Sequence, residues 1–340
     1  MAVVILVTVA AYGLWSAWRQ ARYDAALADV DAYLKQDDLA RALASAERLV
    51  ELRPDSYHSW WWLGRVHRRK RDNVPAEEAF RKAIASAPAV AGLHAGLGRA
   101  LAMQQMPSEA AAEYRRAAKL QPDSSHYIAK TVNLFVVSAQ PAAAVEFLRG
   151  IEEDVPESLS LWLSARLAWA LIYEGETAQA RERLLQIAES APDQKAQGAL
   201  APCWMYLGEW QRALQDLDAT SQGTEAQTLG RPTVLALSGD LEESEELLRA
   251  LVDVDDRAAW AKVVLAYTLA MQAQPDEAQR LLNQVEEPLA WQHAALEPLY
   301  LAGLAYRELG DTEKSNELFQ RAIERWPKHP WSEKMRSMMQ

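Results

Sequence analysis

Apolar side chains fall into two different patterns along the 340 residues. From Met1 to Trp18 (MAVVILVTVAAYGLWSAW) they run almost unbroken, with no charged side chain. At the helical rise per residue such a segment reaches about 27 Å, near the lower limit for crossing the hydrocarbon core of a bilayer. Tyr12, Trp15 and Trp18 gather at its C-terminal end, and Arg19, Arg22 and Tyr23 follow, the order of an interfacial aromatic belt with cationic anchors. One transmembrane helix over residues 1–18 is therefore expected. The alternative is a cleaved signal peptide, suggested by Ala10 and Ala11 and opposed by the lack of Lys or Arg before the apolar run. Because the flanking cations follow the span, the positive-inside rule predicts a single-pass protein of the inner (cell) membrane facing the cytoplasm, with the periplasm as the alternative.

Beyond Trp18 the pattern is periodic. In residues 57–90 the apolar and small residues stand at Trp60, Leu63, Gly64, His67, Ala76, Phe80 and Ala83, and Pro88 closes the unit. A shift of 34 residues lands on His94, Leu97, Gly98, Leu101, Ala110, Tyr114, Ala117 and Pro122. Within each unit the spacing is that of two amphipathic helices separated by a short turn. Small residues at Gly64 with Ala76, and at Gly98 with Ala110, let the two helices cross closely. Phe80 and Tyr114 then fill the space toward the next unit, and the prolines stop the second helix. Weaker copies continue with small slips in phase, through Ala144 and Leu148, Ala180 and Leu184, Ala213 and Leu217, Ser244 and Leu248, and Ala278 and Leu282. The last unit is again clear, with Leu299, Gly303, Tyr306, Ser315, Phe319, Ala322 and Pro327. Before the first full unit, Tyr33, Ala42, Leu49 and Pro54 form a degenerate opening one.

These offsets resemble the tetratricopeptide repeat, and the resemblance implies an all-α fold: a right-handed superhelix of about nine helix-turn-helix repeats, with over 60% helix and essentially no sheet. The expected layout is a transmembrane anchor at 1–18, a juxtamembrane segment with the degenerate repeat at 19–56, a solenoid at 57–329, and a solvating, capping C-terminal helix at 330–340. The anchor and repeats together also resemble membrane-anchored lipopolysaccharide assembly proteins, without their paired-cysteine metal domain.

Composition agrees with helix and argues against chemistry. Ala, Leu, Glu, Gln and Arg dominate, all strong helix formers. Cys203 is the single cysteine, so no intramolecular disulfide and no cysteine zinc cluster can form. Gly92, Gly96 and Gly98 follow no strand, so they do not read as a phosphate-binding loop. The six histidines show no metal-ligand spacing with carboxylates, and His67 and His94 fall at core positions. Asp253, Asp255 and Asp256 lack the glycine and terminal Glu of a calcium loop and read as an exposed turn. Glu242, Glu243, Glu245 and Glu246 read as a solvated helix start, and Arg68, Arg69, Lys70 and Arg71 as the cationic end of a first helix. No cofactor, metal, nucleic acid or small-molecule substrate is expected, and no catalysis.

Charge changes the picture once more. The net charge is −11, yet residues 19–130 hold 18 Lys and Arg against 14 Asp and Glu, while the remainder holds 18 against 33. In the family that the sequence resembles, certain positions of each first helix line a concave groove. Those positions imply a protein-binding surface of Trp61, Trp62, Arg65, Arg99, His126, Lys130 and Asn133, continued by Trp162, Arg166, Trp169, Trp260 and Tyr267. The expected function is a membrane-anchored scaffold or adaptor, acting as assembly factor or accessory subunit of a membrane protein complex. A soluble periplasmic adaptor, after cleavage of a signal peptide, is the alternative, and an enzyme with a site between repeats a remote one.

Overall fold

The computed structural model describes the backbone of residues 2–190, 194–219, 230–252, 258–290 and 295–340; within these, the side chains of 2–7, 9, 194–197, 258 and 286–290 are left out. Among the described residues every regular element is a helix, and the helices come in nine pairs followed by one single helix. The chain divides into two compact units, Met1–Leu134 and Phe135–Gln340.

The first unit holds α1 (Ala2–Lys35) with α2 (Leu39–Leu52), α3 (Tyr57–Arg69) with α4 (Asn73–Ser86), α5 (Ala91–Met103) with α6 (Pro107–Leu120), and most of α7 (Ser125–Val137). The second half of α1 is the first helix of the opening pair, with Tyr23, Ala26 and Val30 buried against Ala42, Ala46 and Leu49 of α2 and Val66 of α3. The small residues of the repeat do what the spacing predicts. A methyl group on Gly98 would stand 2.8 Å from the Tyr114 ring, and one on Gly96 would stand 2.5 Å from the Phe80 ring. Phe80 therefore lies between its own pair and the next, in a cluster with Ala76, Leu97, Leu101 and Ala110.

One local device, unread in the sequence, repeats in every pair. The residue ending each first helix is left-handed: Asp37, Arg71, Gln105 and Ala139, each 34 positions after the last, then Gly175, Gly208, Gly239, Ala273 and Gly310. The next backbone N–H returns to a carbonyl five residues earlier, as in Asp72 N to His67 O at 2.9 Å and Asp311 N to Tyr306 O at 2.9 Å, closing a Schellman cap that turns the chain into the second helix. Pro54, Pro88, Pro122 and Pro327 each stand just past the end of a second helix, as expected.

The second unit continues with α8 (Pro141–Ile151), α9 (Glu157–Glu174) with α10 (Thr177–Glu189), α11 (Gln194–Leu207) with α12 (Trp210–Asp218), α13 (Arg231–Ser238) with α14 (Leu241–Val252), α15 (Ala258–Met271) with α16 (Pro275–Ala290), α17 (Leu296–Glu308) with α18 (Thr312–Arg325), and α19 (Pro330–Met338). First helices pack on one another, α9 on α11 and α15 on α17. Gly303 repeats the close packing of the first unit, since a methyl there would stand 2.4 Å from Phe319.

Two expectations need correction. The expected transmembrane helix is not supported: α1 runs as one helix from Ala2 to Lys35, and among the described residues no helix is long and apolar enough to cross a membrane. Nor is the C-terminal helix a solvated cap, because Trp331 and Met335 of α19 are fully buried. Asp253, Asp255, Asp256 and His293 lie outside the described residues.

Candidate functional site

In the first unit three helices bring cations and aromatic rings together. Trp61 and Trp62 of α3 meet edge to face at 4.9 Å, and the Arg65 guanidinium sits 4.5 Å from the centre of each ring. One turn on, Arg68 is half-buried; burial lowers its pKa first, and the nearby cations Arg99 of α5 and Arg65 lower it further. Burial likewise lowers Arg65, opposed by Asp31. His126 of α7 is shifted down by partial burial and then by Lys130 and Arg99, and its ring lies 6.5 Å from that of Tyr114. Asn133 stands exposed three residues beyond Lys130, on the same side of α7.

Some cations of this unit have carboxylates beside them, as Arg41 has Asp38, Arg69 Asp37, Lys70 Asp72, Arg81 Glu77, and Arg116 Glu113. Among the described residues no ion pair is formed by Arg65, Arg68, Arg99 or Lys130. Like charges held close and partly out of water favour an anion on that surface. Core position His94 is different: it is buried, with Nδ1 2.8 Å from Glu113 Oε2 and Nε2 2.9 Å from the Pro88 carbonyl oxygen.

The second unit treats its aromatic residues otherwise. Trp162 and Tyr267, expected in a groove, are 5% and 8% exposed and belong to the packing between helices. Trp169 and Trp260 are half-buried, and Arg166 lies 5.6 Å from the Trp162 ring. The space beside Tyr173, Tyr206 and Tyr300 is taken by the chain itself. His329 lies 4.6 Å from the Tyr173 ring and 5.0 Å from Tyr206, and Trp331 lies 5.1 Å from Tyr206 and 4.4 Å from Tyr300. Tyr173 and Tyr206 share a hydroxyl hydrogen bond of 3.1 Å, and the Tyr206 hydroxyl donates to Glu297.

The segment that enters is fastened at its start. The Trp326 indole N–H donates to the Val136 carbonyl at 2.9 Å, Arg325 donates to the Val137 carbonyl, and Lys328 pairs with Glu174. Burial pushes the pKa of His329 down to about 3, and Lys334 adds to the shift, so its ring is neutral in the folded protein. Cys203 is buried and its thiol is pushed up to about 12, which leaves it unreactive. The sequence reading missed this strap: its contacts join residues up to 190 positions apart, with no periodic signal.

Family models described as tetratricopeptide repeat match residues 27–91 and 76–125, and a further one matches residues 299–329. These segments match tetratricopeptide repeats, which in general mediate contacts between proteins. A search of curated proteins gives no match. Solved structures to which the chain is similar include PilF of Pseudomonas aeruginosa, 20% identical over 58% of this chain and 90% of that one with a TM-score of 0.41. A tetratricopeptide repeat protein of Parabacteroides merdae is 16% identical over 83% and 98%, with a TM-score of 0.41. The MamA protein is 13% identical over 58% and 92%, with a TM-score of 0.40.

Proposed function

We propose that the protein is a non-catalytic scaffold whose first unit holds an acidic segment of a partner protein, and that it works at a membrane as an assembly factor or accessory subunit of a membrane protein complex. One observation carries the binding reading: Arg65 lies on Trp61 and Trp62, Arg68 lies near Arg65 and Arg99, and Arg99 and Lys130 lie near His126, with no ion pair of these four cations among the described residues. Carboxylates of a partner would supply the missing charge, and apolar side chains next to them would meet the indole faces. Attachment to the inner membrane is supported by the uncharged start of the sequence, and, were that segment to span, Arg19 and Arg22 after it would favour the cytoplasmic side.

The test is the double reversal Arg65→Glu with Arg99→Glu. Co-purification from mild detergent should retain less partner, and the loss should deepen at low salt, where charge interactions are less screened. Helicity and melting temperature should stay near those of the parent. Unchanged retention would move binding off this surface, and unfolding would make both side chains structural. Fractionation and protease treatment of intact spheroplasts test the second part: the protein should pellet with membranes and resist digestion.

A further inference from the structure

The first half of α1 carries large exposed apolar side chains: Tyr12 is 69% exposed, Leu14 75%, and Trp15 and Trp18 about half. Where this exposed stretch ends, an open cavity of about 450 Å³ lies between α1 and the turn from α2 to α3. Its size is within the range of small-ligand sites. Trp15, Ser16 and Arg19 form one wall, and Arg53, Asp55 and Ser56 form the other.

The cations are held in place. Arg19 sits 5.2 Å from the centre of the Trp15 ring, and Arg53 sits 4.5 Å from that of Tyr23 while donating to Gln20. Two guanidiniums against the one carboxylate of Asp55 leave a single positive charge. The geometry points to a binding site for the phosphodiester headgroup of one glycerophospholipid, with its acyl chains along Tyr12 and Trp15. A phosphodiester carries one negative charge and several acceptor oxygens, which suits two guanidiniums and the Ser56 hydroxyl, the Ser16 hydroxyl being held by the Gly13 carbonyl. An acyl chain accounts for apolar side chains standing exposed directly beside a polar cavity, an arrangement that a soluble phosphate would not need.

This inference deepens the membrane attachment proposed above, yet it requires a lipid against α1 and not that α1 spans the bilayer. The experiment titrates the full-length protein in detergent micelles with phosphatidylethanolamine and counts retained lipids by native mass spectrometry. One lipid should be retained, and Arg19→Gln with Arg53→Gln should lower its occupancy about tenfold, equal to about 1.4 kcal/mol. The charge-matched control Arg48→Gln with Arg71→Gln removes two exposed arginines outside the cavity and should leave occupancy unchanged. Because Arg53 also ties α2 to α1, Arg19→Gln alone is measured with circular dichroism and should show loss of lipid without loss of helix. No retained lipid, equal loss in the control, or unchanged retention in both cavity variants would overturn the site. Competition by inorganic phosphate as strong as by lipid would show an anion site in which the apolar face has no part, and would overturn it as well. Membrane fractionation can succeed while this titration fails, so the two readings are separable.

Discussion

The two units are built from the same helical pair and use their aromatic positions in opposite ways. In Met1–Leu134 the aromatic side chains Trp61 and Trp62 stay half-exposed beside Arg65. In Phe135–Gln340 the rings of Tyr173, Tyr206 and Tyr300 are buried under Trp326, His329 and Trp331. Ion pairs occur in both units. Arginines of the second unit meet carboxylates, as Arg181 does Glu209, Arg231 does Asp218 and Glu243, and Arg249 does Glu245 and Glu277. Such exposed pairs contribute little stability each, but they leave those cations satisfied. A repeat thus sets where side chains point; whether a surface is free to bind depends on what else in the chain reaches it.

The comparison breaks most sharply at Trp331. Trp331→Ala should cost about 3–5 kcal/mol, the usual loss for emptying a fully buried aromatic site. In urea the second unit should unfold earlier, while hydrogen exchange of the amides in α3 to α6 stays as in the parent. Equal protection of both units in the variant would mean that the strap contributes nothing to the core.

Next in size are the glycines beneath the aromatic rings, which should respond alike in both units. Gly98→Ala and Gly303→Ala would press a methyl on Tyr114 and Phe319 respectively, and each should lose about 1–3 kcal/mol in thermal or denaturant melts.

Acid should act on the second unit through three buried groups. His329 is neutral when folded, with its pKa near 3, whereas in the unfolded chain it takes a proton near 6.5. Between these values the unfolded state binds more protons, so this group makes stability fall as pH drops from about 6.5 toward 3, by up to about 1.4 kcal/mol per pH unit. Asp216 and Glu297 oppose it: burial raises both, Asp216 to about 6, so their stability is present at low pH and lost as pH rises through their folded values. Wild type should therefore show a shallow acid dependence, and Asp216→Asn a steeper loss below pH 6. A profile unchanged by both Asp216→Asn and His329→Gln would remove these groups from the account.

The smallest expected effect concerns the turns. The left-handed turn residues of the first unit are Asp37, Arg71 and Gln105, whereas four in the second unit are glycine. Relieving the strain with Gln105→Gly should stabilise by about 0.5–1 kcal/mol, and the reverse change Gly310→Ala should destabilise by a similar amount, both read as shifts in melting temperature.

Much of this architecture was legible because its causes are local or strictly repeated. Gly98 with Ala110, Tyr114 over both, and Pro122 at the helix end are each dictated by the crossing of two adjacent helices, so they recur at a fixed spacing. Clustering of Arg65 and Arg99 could be read for the same reason, since a repeat period converts a sequence offset into a position on one face. Burial of Tyr206 by Trp331, and the hydrogen bond from Trp326 to the Val136 carbonyl, could not be read in that way. They join segments far apart in the chain, and closing so long a loop leaves no periodic trace at either end. Local sequence determined the helical pair and its packing residues; only the tertiary structure decided which inner face stays open, because that turns on where the chain's own end comes to rest.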